Sequence, residues 1–167
     1  TIIVSILGIF ICRALYKRKG HATQFLESLI LLPIVLPPTV LGFILIIVFS
    51  PRTFVGQFFQ NILHLPVVFT MTGAVIASVI VSFPLMYQHT IQGFRSINPK
   101  MLNTARTMGA SERKIFYRLI LPLSKRSIIA GIMMSFARAI GEFGATLMVA
   151  GYIPNKTNTL PLEIYFL

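Results

Sequence analysis

Three long apolar runs, at residues 29–49, 67–87 and 128–149, constrain the fold of this chain more than any other feature. Each is about as long as the ~20 residues that a helix needs to cross the hydrocarbon core of a bilayer. Charged residues make up only 11% of the 167 residues, too few to give a soluble domain of this size a polar surface. The sequence therefore predicts an all-α integral membrane protein, with one transmembrane domain over residues 1–167.

The two ends of the chain are also apolar. The run at residues 1–12 is too short to span a bilayer, and another run begins at Ile164–Leu167. No basic segment precedes residues 1–12 and no small-residue cleavage site follows them, as a signal peptide would require. We therefore interpret residues 1–12 as part of a transmembrane helix and expect the chain to be truncated at both ends.

Basic residues are distributed unevenly among the segments between the apolar runs. Twelve Lys and Arg lie in two of these segments, residues 13–28 and 88–127, whereas residues 50–66 and 150–163 contain only two. Cytoplasmic loops of membrane proteins carry the excess of Lys and Arg. This pattern predicts a multi-pass protein of the cell membrane, with residues 13–28 and 88–127 in the cytoplasm and the other two segments outside.

Three prolines, Pro33, Pro37 and Pro38, lie inside the run 29–49. Proline removes a backbone donor and clashes with the preceding turn, so we expect this helix to be kinked or locally unwound. The bend either serves packing or shapes a transport pathway, and the sequence leaves both interpretations open.

The basic segment 88–127 contains the capping signals of two short helices. Asn98 and Pro99 are a typical start for a helix over residues 100–108, and Gly109 provides the left-handed residue that ends it. A DNA-binding helix–turn–helix has a similar outline. Because both ends of this segment are attached to the bilayer, we do not expect nucleic acid as a partner. Contact with lipid headgroups alone is an alternative role.

The second short helix is predicted to begin after Ser111, with Glu112 at the positive end of its dipole. It should end near Leu121, before Pro122. Its apolar face consists of Ile115, Phe116 and Leu119.

The pattern Ala105-x-x-x-Gly109, followed after nine residues by Leu119-Ile120-Leu121-Pro122, resembles the signature loop of ABC importer permeases. Asn103 and Thr104 stand where that family usually has Glu and Ala. In the family the loop docks into a groove on the ATPase subunit and transmits nucleotide-driven motion. The resemblance implies a coupling role, with the apolar face as docking surface, for Ala105, Gly109, Phe116, Leu119, Leu121 and Pro122.

The run 128–149 contains two charged residues, Arg138 and Glu142. Charge at membrane depth is costly, and a spacing of four residues places the two side chains on one helical face, where they can pair. The pair is either structural, or Arg138 helps to attract or gate an oxyanion. Gly144 is a small residue that lets helices approach closely, and with the pair it forms a candidate for the translocation pathway.

The stretch Glu142-Phe143-Gly144-Ala145, with Ile153-Pro154 and the run 156–162 after it, resembles permeases of molybdate ABC transporters. The resemblance extends to Leu32–Pro38, whereas Tyr152 departs from the usual Asn. It implies a type I ABC importer permease bundle with two permease copies, two ATPase subunits inside and an oxyanion-binding protein outside. Tungstate, sulfate and thiosulfate are alternative cargoes.

Several kinds of chemistry are missing from the sequence. It contains no Gly-x-x-x-x-Gly-Lys-Ser/Thr phosphate loop and no catalytic pair, so we expect a transporter subunit and not an enzyme, with ATP and Mg²⁺ on the partner ATPase. Cys12 is the one cysteine and the three histidines are widely separated, so neither a metal nor another cofactor is expected on this chain. A non-transporting membrane scaffold and an ion-driven secondary transporter are the alternatives from other classes.

Overall fold

The computed structural model describes residues 1–18, 20–154 and 156–167, and its regular elements are all helical in these ranges. Lys19, which contributed to the predicted orientation, lies outside them. In chain order the elements are α1 (Ile2–Leu15), α2 (His21–Val35), α3 (Pro38–Val48), α4 (Phe54–Gln57), the π-helical turn π1 (Phe58–Ile62), α5 (Met71–Arg95), α6 (Pro99–Thr107), α7 (Glu112–Ile115), π2 (Phe116–Ile120), α8 (Leu121–Leu123), α9 (Lys125–Ile140), α10 (Gly144–Ala150) and α11 (Leu160–Phe166).

Helix α5 is the centre of the bundle and packs against α1, α2, α9 and α10. Its buried Gly73, Ala74 and Ala77 have little or no side chain, which lets neighbouring helices approach closely. Two buried clusters result, one between α1, α5 and the segment 115–128, and one between α3, α5 and α10. The first contains Val4, Cys12, Leu15, Met86, Tyr87, Ile91, Phe94, Ile115, Phe116, Ile120 and Ile128, and the second contains Leu41, Leu45, Val67, Ala77, Val81, Ala145 and Val149.

Helix α5 is also the one helix in the described part of the chain that is long and apolar enough to cross a bilayer by itself. Two bent pairs, α2 with α3 and Glu112–Leu123 with α9, bring the number of possible spans to three if each pair is one span. Helix α5 continues to Arg95, eight residues beyond the predicted run 67–87. Hydropathy locates the apolar part of a helix, whereas the helix itself continues through polar residues that face a neighbour.

The run 29–49 is two helices, α2 and α3, with axes that differ in direction by 119°. The predicted unwinding occurs at Leu36 and Pro37, which are both extended, with ψ of 137°. Each of these residues precedes a proline, and a residue in that position avoids the helical region. Pro33, by contrast, lies inside α2.

The run 128–149 is also divided, in contrast to the single helix that we predicted. Helix α9 ends at Ile140 and α10 begins at Gly144. The Glu142 carboxylate accepts a hydrogen bond from the Ala145 N–H, so it caps the new helix within the apolar run. One carboxylate lowers the mean hydropathy of so long an apolar run only slightly, which is why the run looked continuous.

The predicted end of the second short helix near Leu121 needs a correction. Helical structure continues through Pro122 to Leu123, and the chain bends by 66° only at the junction with α9. The turn π2 precedes the proline, and in it the Leu121 N–H donates to the Phe116 carbonyl, five residues back. This wider turn precedes a residue that cannot donate, so the helix continues without a sharp break.

Close contact between α3 and α10 leads to a first testable prediction. A methyl group on Gly42 would lie 2.6 Å from the Met148 Cβ and 3.0 Å from the Ala145 Cα. We expect Gly42→Ala to destabilise the protein by about 1–3 kcal/mol because the helices must move apart. Thermal unfolding in detergent measures the effect. Gly141→Ala is the matched control, since its methyl would find its nearest neighbour at 3.5 Å, and equal melting of both variants would contradict the close packing.

Candidate coupling hairpin and membrane ion pair

Residues 98–123, here called the coupling hairpin, have the local geometry that the capping signals predicted. The Asn98 Oδ1 accepts a hydrogen bond from the Lys100 N–H at 2.9 Å, and α6 begins there. Gly109 has φ +78°, and its N–H donates to the Arg106 carbonyl at 2.9 Å. The Ala110 N–H donates to the Ala105 carbonyl at 3.0 Å. These two bonds form a Schellman motif, which requires a left-handed residue at position 109.

Phe116 anchors the coupling hairpin to the rest of the protein. It is 3% exposed, and its ring meets the Phe94 ring of α5 edge to face, with 5.6 Å between centroids. The Arg13 guanidinium of α1 lies 4.5 Å from the centroid of the same ring. The apolar face that we expected to dock a partner is therefore packed against the protein's own helices.

The other predicted coupling residues divide between buried and exposed positions. Ala105, Leu119 and Leu121 are partly buried, whereas Gly109 and Pro122 are exposed. The most exposed apolar side chain of the coupling hairpin is Met108, at 81%. Sequence reasoning did not single it out, although an apolar residue immediately before the glycine of an exposed turn was a usable signal. Methionine is flexible and polarisable, properties that suit a protein–protein contact.

Ion pairs join the coupling hairpin to the end of α1. The Glu112 carboxylate contacts the Lys17 ammonium and lies 2.8 Å from the Arg106 Nε. These two cations lower the pKa of Glu112 below its ordinary value. Arg106 also donates to the Asn103 Oδ1 at 2.6 Å. Asn103, which stands at the usual Glu position of the resembled loop, thus helps to orient Arg106.

The two charged residues of the last apolar run form the ion pair expected from their spacing. The Arg138 Nη1 lies 2.6 Å from the Glu142 Oε2. The Glu142 Oε1 accepts a hydrogen bond of 2.8 Å from the Ala145 N–H. The Glu142 side chain is 1% exposed and that of Arg138 is 33% exposed. One carboxylate therefore holds the end of α9 and the start of α10 together, and the guanidinium keeps some donors accessible.

Gly144, the third predicted pathway residue, lies where α10 meets the start of α3. A methyl group on it would lie 2.9 Å from the Pro38 Cβ. The structure thus brings Arg138 and Glu142 into contact, whereas it places Gly144 in a packing contact with the residue that follows the α2–α3 bend.

The described part of the chain is a helical bundle, with a hairpin whose turn at Gly109 is exposed between two apolar helices. The chain matches the family described as "Binding-protein-dependent transport system inner membrane component" over residues 5–166, and it belongs to that family. The predicted all-α membrane fold class and the resemblance to importer permeases are thereby confirmed. The chain is a membrane protein and a subunit of a transport system.

Three relatives illustrate the relationship. The chain is 47% identical over 164 residues to the putative molybdenum transport system permease protein YvgM of Bacillus subtilis (strain 168), covering 98% of this chain and 72% of that protein. It is 36% identical to the molybdenum transport system permease protein ModB of Escherichia coli (strain K12), covering 96% and 70%. It is 35% identical to ModB of Haemophilus influenzae, covering 95% and 69%.

Proposed function

We propose that this chain is the permease subunit of an ATP-driven importer and forms the transmembrane pathway for molybdate. The observation that carries the proposal is the coupling hairpin, in which the Schellman turn at Gly109 exposes Met108 while Phe116 fixes the base to α1 and α5. The names of the relatives support molybdenum as the cargo element.

In this proposal two copies of the chain assemble with two ATPase subunits, which carry ATP and Mg²⁺, and the basic segments 13–28 and 88–127 face the cytoplasm. Closure of the ATPase dimer moves the coupling hairpin. Because the Phe116 ring packs on Phe94 and Arg13, that motion reaches α5 and α1 as a rigid displacement. An extracytoplasmic binding protein then delivers the anion to the opened cavity.

Arg138 is the residue that we assign to the oxyanion pathway. Its guanidinium has five N–H donors, and the pairing with Glu142 leaves part of it exposed. A fixed fork of donors suits a tetrahedral oxyanion. Tungstate has nearly the same size and charge as molybdate, so we expect the binding protein to decide most of the selectivity.

The experiment is reconstitution of the intact protein with its ATPase and binding protein in liposomes. ATP hydrolysis is measured with the binding protein empty or loaded with molybdate, tungstate or sulfate. We expect stimulation by molybdate and tungstate, and none by sulfate. Stimulation by sulfate alone would overturn the cargo, whereas uptake without ATP or the absence of any bound ATPase would overturn the importer itself.

The exposure of Met108 leads to a second prediction. We expect Met108→Asp to weaken binding of the ATPase by about tenfold or more, because a carboxylate would replace an apolar contact at the tip of the coupling hairpin. Met108→Leu, which keeps an apolar side chain, is the matched control. Co-purification of the ATPase with each variant measures the effect, and retention by Met108→Asp at the unmodified level would contradict the assignment of this turn as a docking surface.

A further inference from the structure

A basic cavity of about 510 Å³ opens where the ends of α1 and α5 meet α6. Its lining includes four cationic side chains, Lys17, Arg18, Arg95 and Arg106. No carboxylate lines it among the residues that the structure describes. The site is separate from the Arg138–Glu142 pair, to which the transport proposal assigns the transported anion.

The charges around this cavity do not cancel. Arg95 pairs with Glu27, and Lys17 and Arg106 share the single carboxylate of Glu112. Within the described part of the chain, Arg18 forms no ion pair. Four positive charges therefore face two carboxylates, and two positive charges remain available to an anion.

A second cavity, of about 290 Å³, continues the first one toward α2. The two share Arg18 and Arg95, and the second is also lined by Thr23 and Gln24 in the first turns of α2 and by Glu27, the carboxylate that pairs with Arg95. Apolar side chains that are exposed follow on the same helix, among them Phe25 and Leu29. Leu29 is the first residue of a predicted membrane run, so the cavity lies beside the level at which lipid headgroups end and acyl chains begin.

The remaining lining of the first cavity suits the same boundary. Tyr16 and Phe94 contact each other edge to face, with 5.8 Å between ring centroids, and both line the cavity with Ile97 and Leu102. Tyrosine is enriched at membrane interfaces, where its apolar ring and polar hydroxyl are both accommodated. An anion dissolved in water gains nothing from contact with this apolar wall. A lipid can place its charged headgroup against the cations and pack its glycerol backbone against the wall.

We infer that this cavity binds the headgroup phosphate of an anionic phospholipid, with Arg18 as its main ligand. Basic pockets between transmembrane helices on the cytoplasmic side are suited to such headgroups. The competing explanation is that these cations only balance the negative carboxyl ends of α1 and α5. The two explanations differ for Arg18, because only a ligand site makes lipid retention depend on this particular residue.

The test uses the intact protein, purified in detergent and titrated with phosphatidylglycerol or with phosphatidylcholine of the same acyl chains. Native mass spectrometry counts the bound lipids. We expect phosphatidylglycerol to bind about tenfold more tightly than phosphatidylcholine, and Arg18→Ala to lose about fivefold of that affinity, as expected for one basic residue near a membrane surface. Arg18→Lys should keep most of it.

Arg126→Ala is the matched control, because Arg126 is an exposed arginine in the first turn of α9 and does not line the cavity. An equal loss in Arg18→Ala and Arg126→Ala would overturn the proposal and indicate a diffuse attraction between the basic surface and anionic lipid. A separate titration uses inorganic phosphate alone. Arg18-dependent binding of phosphate without selective retention of phosphatidylglycerol would overturn the lipid as the source of the anion.

Discussion

Replacement of Arg138 by alanine should destabilise the protein by about 3–5 kcal/mol, since it leaves the Glu142 carboxylate buried without a counter-ion. Replacement of Glu142 by glutamine should destabilise the protein less than replacement of Arg138 by alanine. In Glu142→Gln the remaining guanidinium is one-third exposed and can be solvated in part. Thermal unfolding in detergent and the amount of protein in membranes measure both effects, and equal destabilisation by the two single variants would contradict the asymmetry of burial.

The double variant Arg138→Ala/Glu142→Ala separates a structural pair from a residue of the pathway. Removal of both charges should recover much of the lost stability, apart from about 1 kcal/mol for the missing cap on Ala145. If the folded double variant takes up molybdate normally at limiting concentration, the pair is structural only. Loss of uptake in a protein of near-normal stability is the outcome that we expect from an oxyanion pathway through Arg138.

Local signals in the sequence were sufficient for the starts of the two short helices, for the turn between them and for the bend between α2 and α3. Asn98, Gly109 and Ser111 each cap or turn the backbone within three residues of their own position. They can therefore be recognised in the sequence without knowledge of the tertiary fold. The same is true of Pro37 and Pro38, each of which restricts the residue before it. These features depend on backbone geometry that a short segment already determines.

Features that depend on distant residues could not be predicted. Lys17 and Glu112 are 95 positions apart in sequence, and Glu27 and Arg95 are 68 apart, so no spacing rule connects them. The packing of the Phe116 ring against Phe94 of α5 could not be predicted for a similar reason. An apolar helical face predicts burial, but the sequence alone does not tell whether α5 or a partner protein covers it.

The break between α9 and α10 could be predicted from the sequence only in part. Gly141 and Gly144 flank Glu142 in the sequence, and a carboxylate between glycines is compatible with a helix end. We interpreted the carboxylate only as a partner of Arg138. It does pair with Arg138, but its second oxygen caps α10, and the two roles together account for a carboxyl group within an apolar run.

Replacement of Gly109 by valine should abolish most of the coupling between ATP hydrolysis and transport while leaving the helical bundle folded. Gly109 has φ +78°, a region that costs an ordinary L-residue about 1–2 kcal/mol and a β-branched one more. A Cβ there would have no heavy atom of another part of the chain within 4 Å, so the main effect of the substitution is on the backbone of the turn. The expected defect is therefore a misdirected turn between α6 and α7.

The measurement is ATP hydrolysis in liposomes, with and without the loaded binding protein, beside the circular dichroism of the purified variant. We expect Gly109→Val to lose the stimulation by more than tenfold at unchanged helical content. Gly109→Asn is the matched control, because asparagine tolerates the left-handed region and should keep most of the stimulation. Normal stimulation in Gly109→Val would show that the left-handed turn is not needed to transmit motion. Coupling would then have to pass through another contact of the hairpin, and the contact between the Glu112 carboxylate and Lys17 is the first to test.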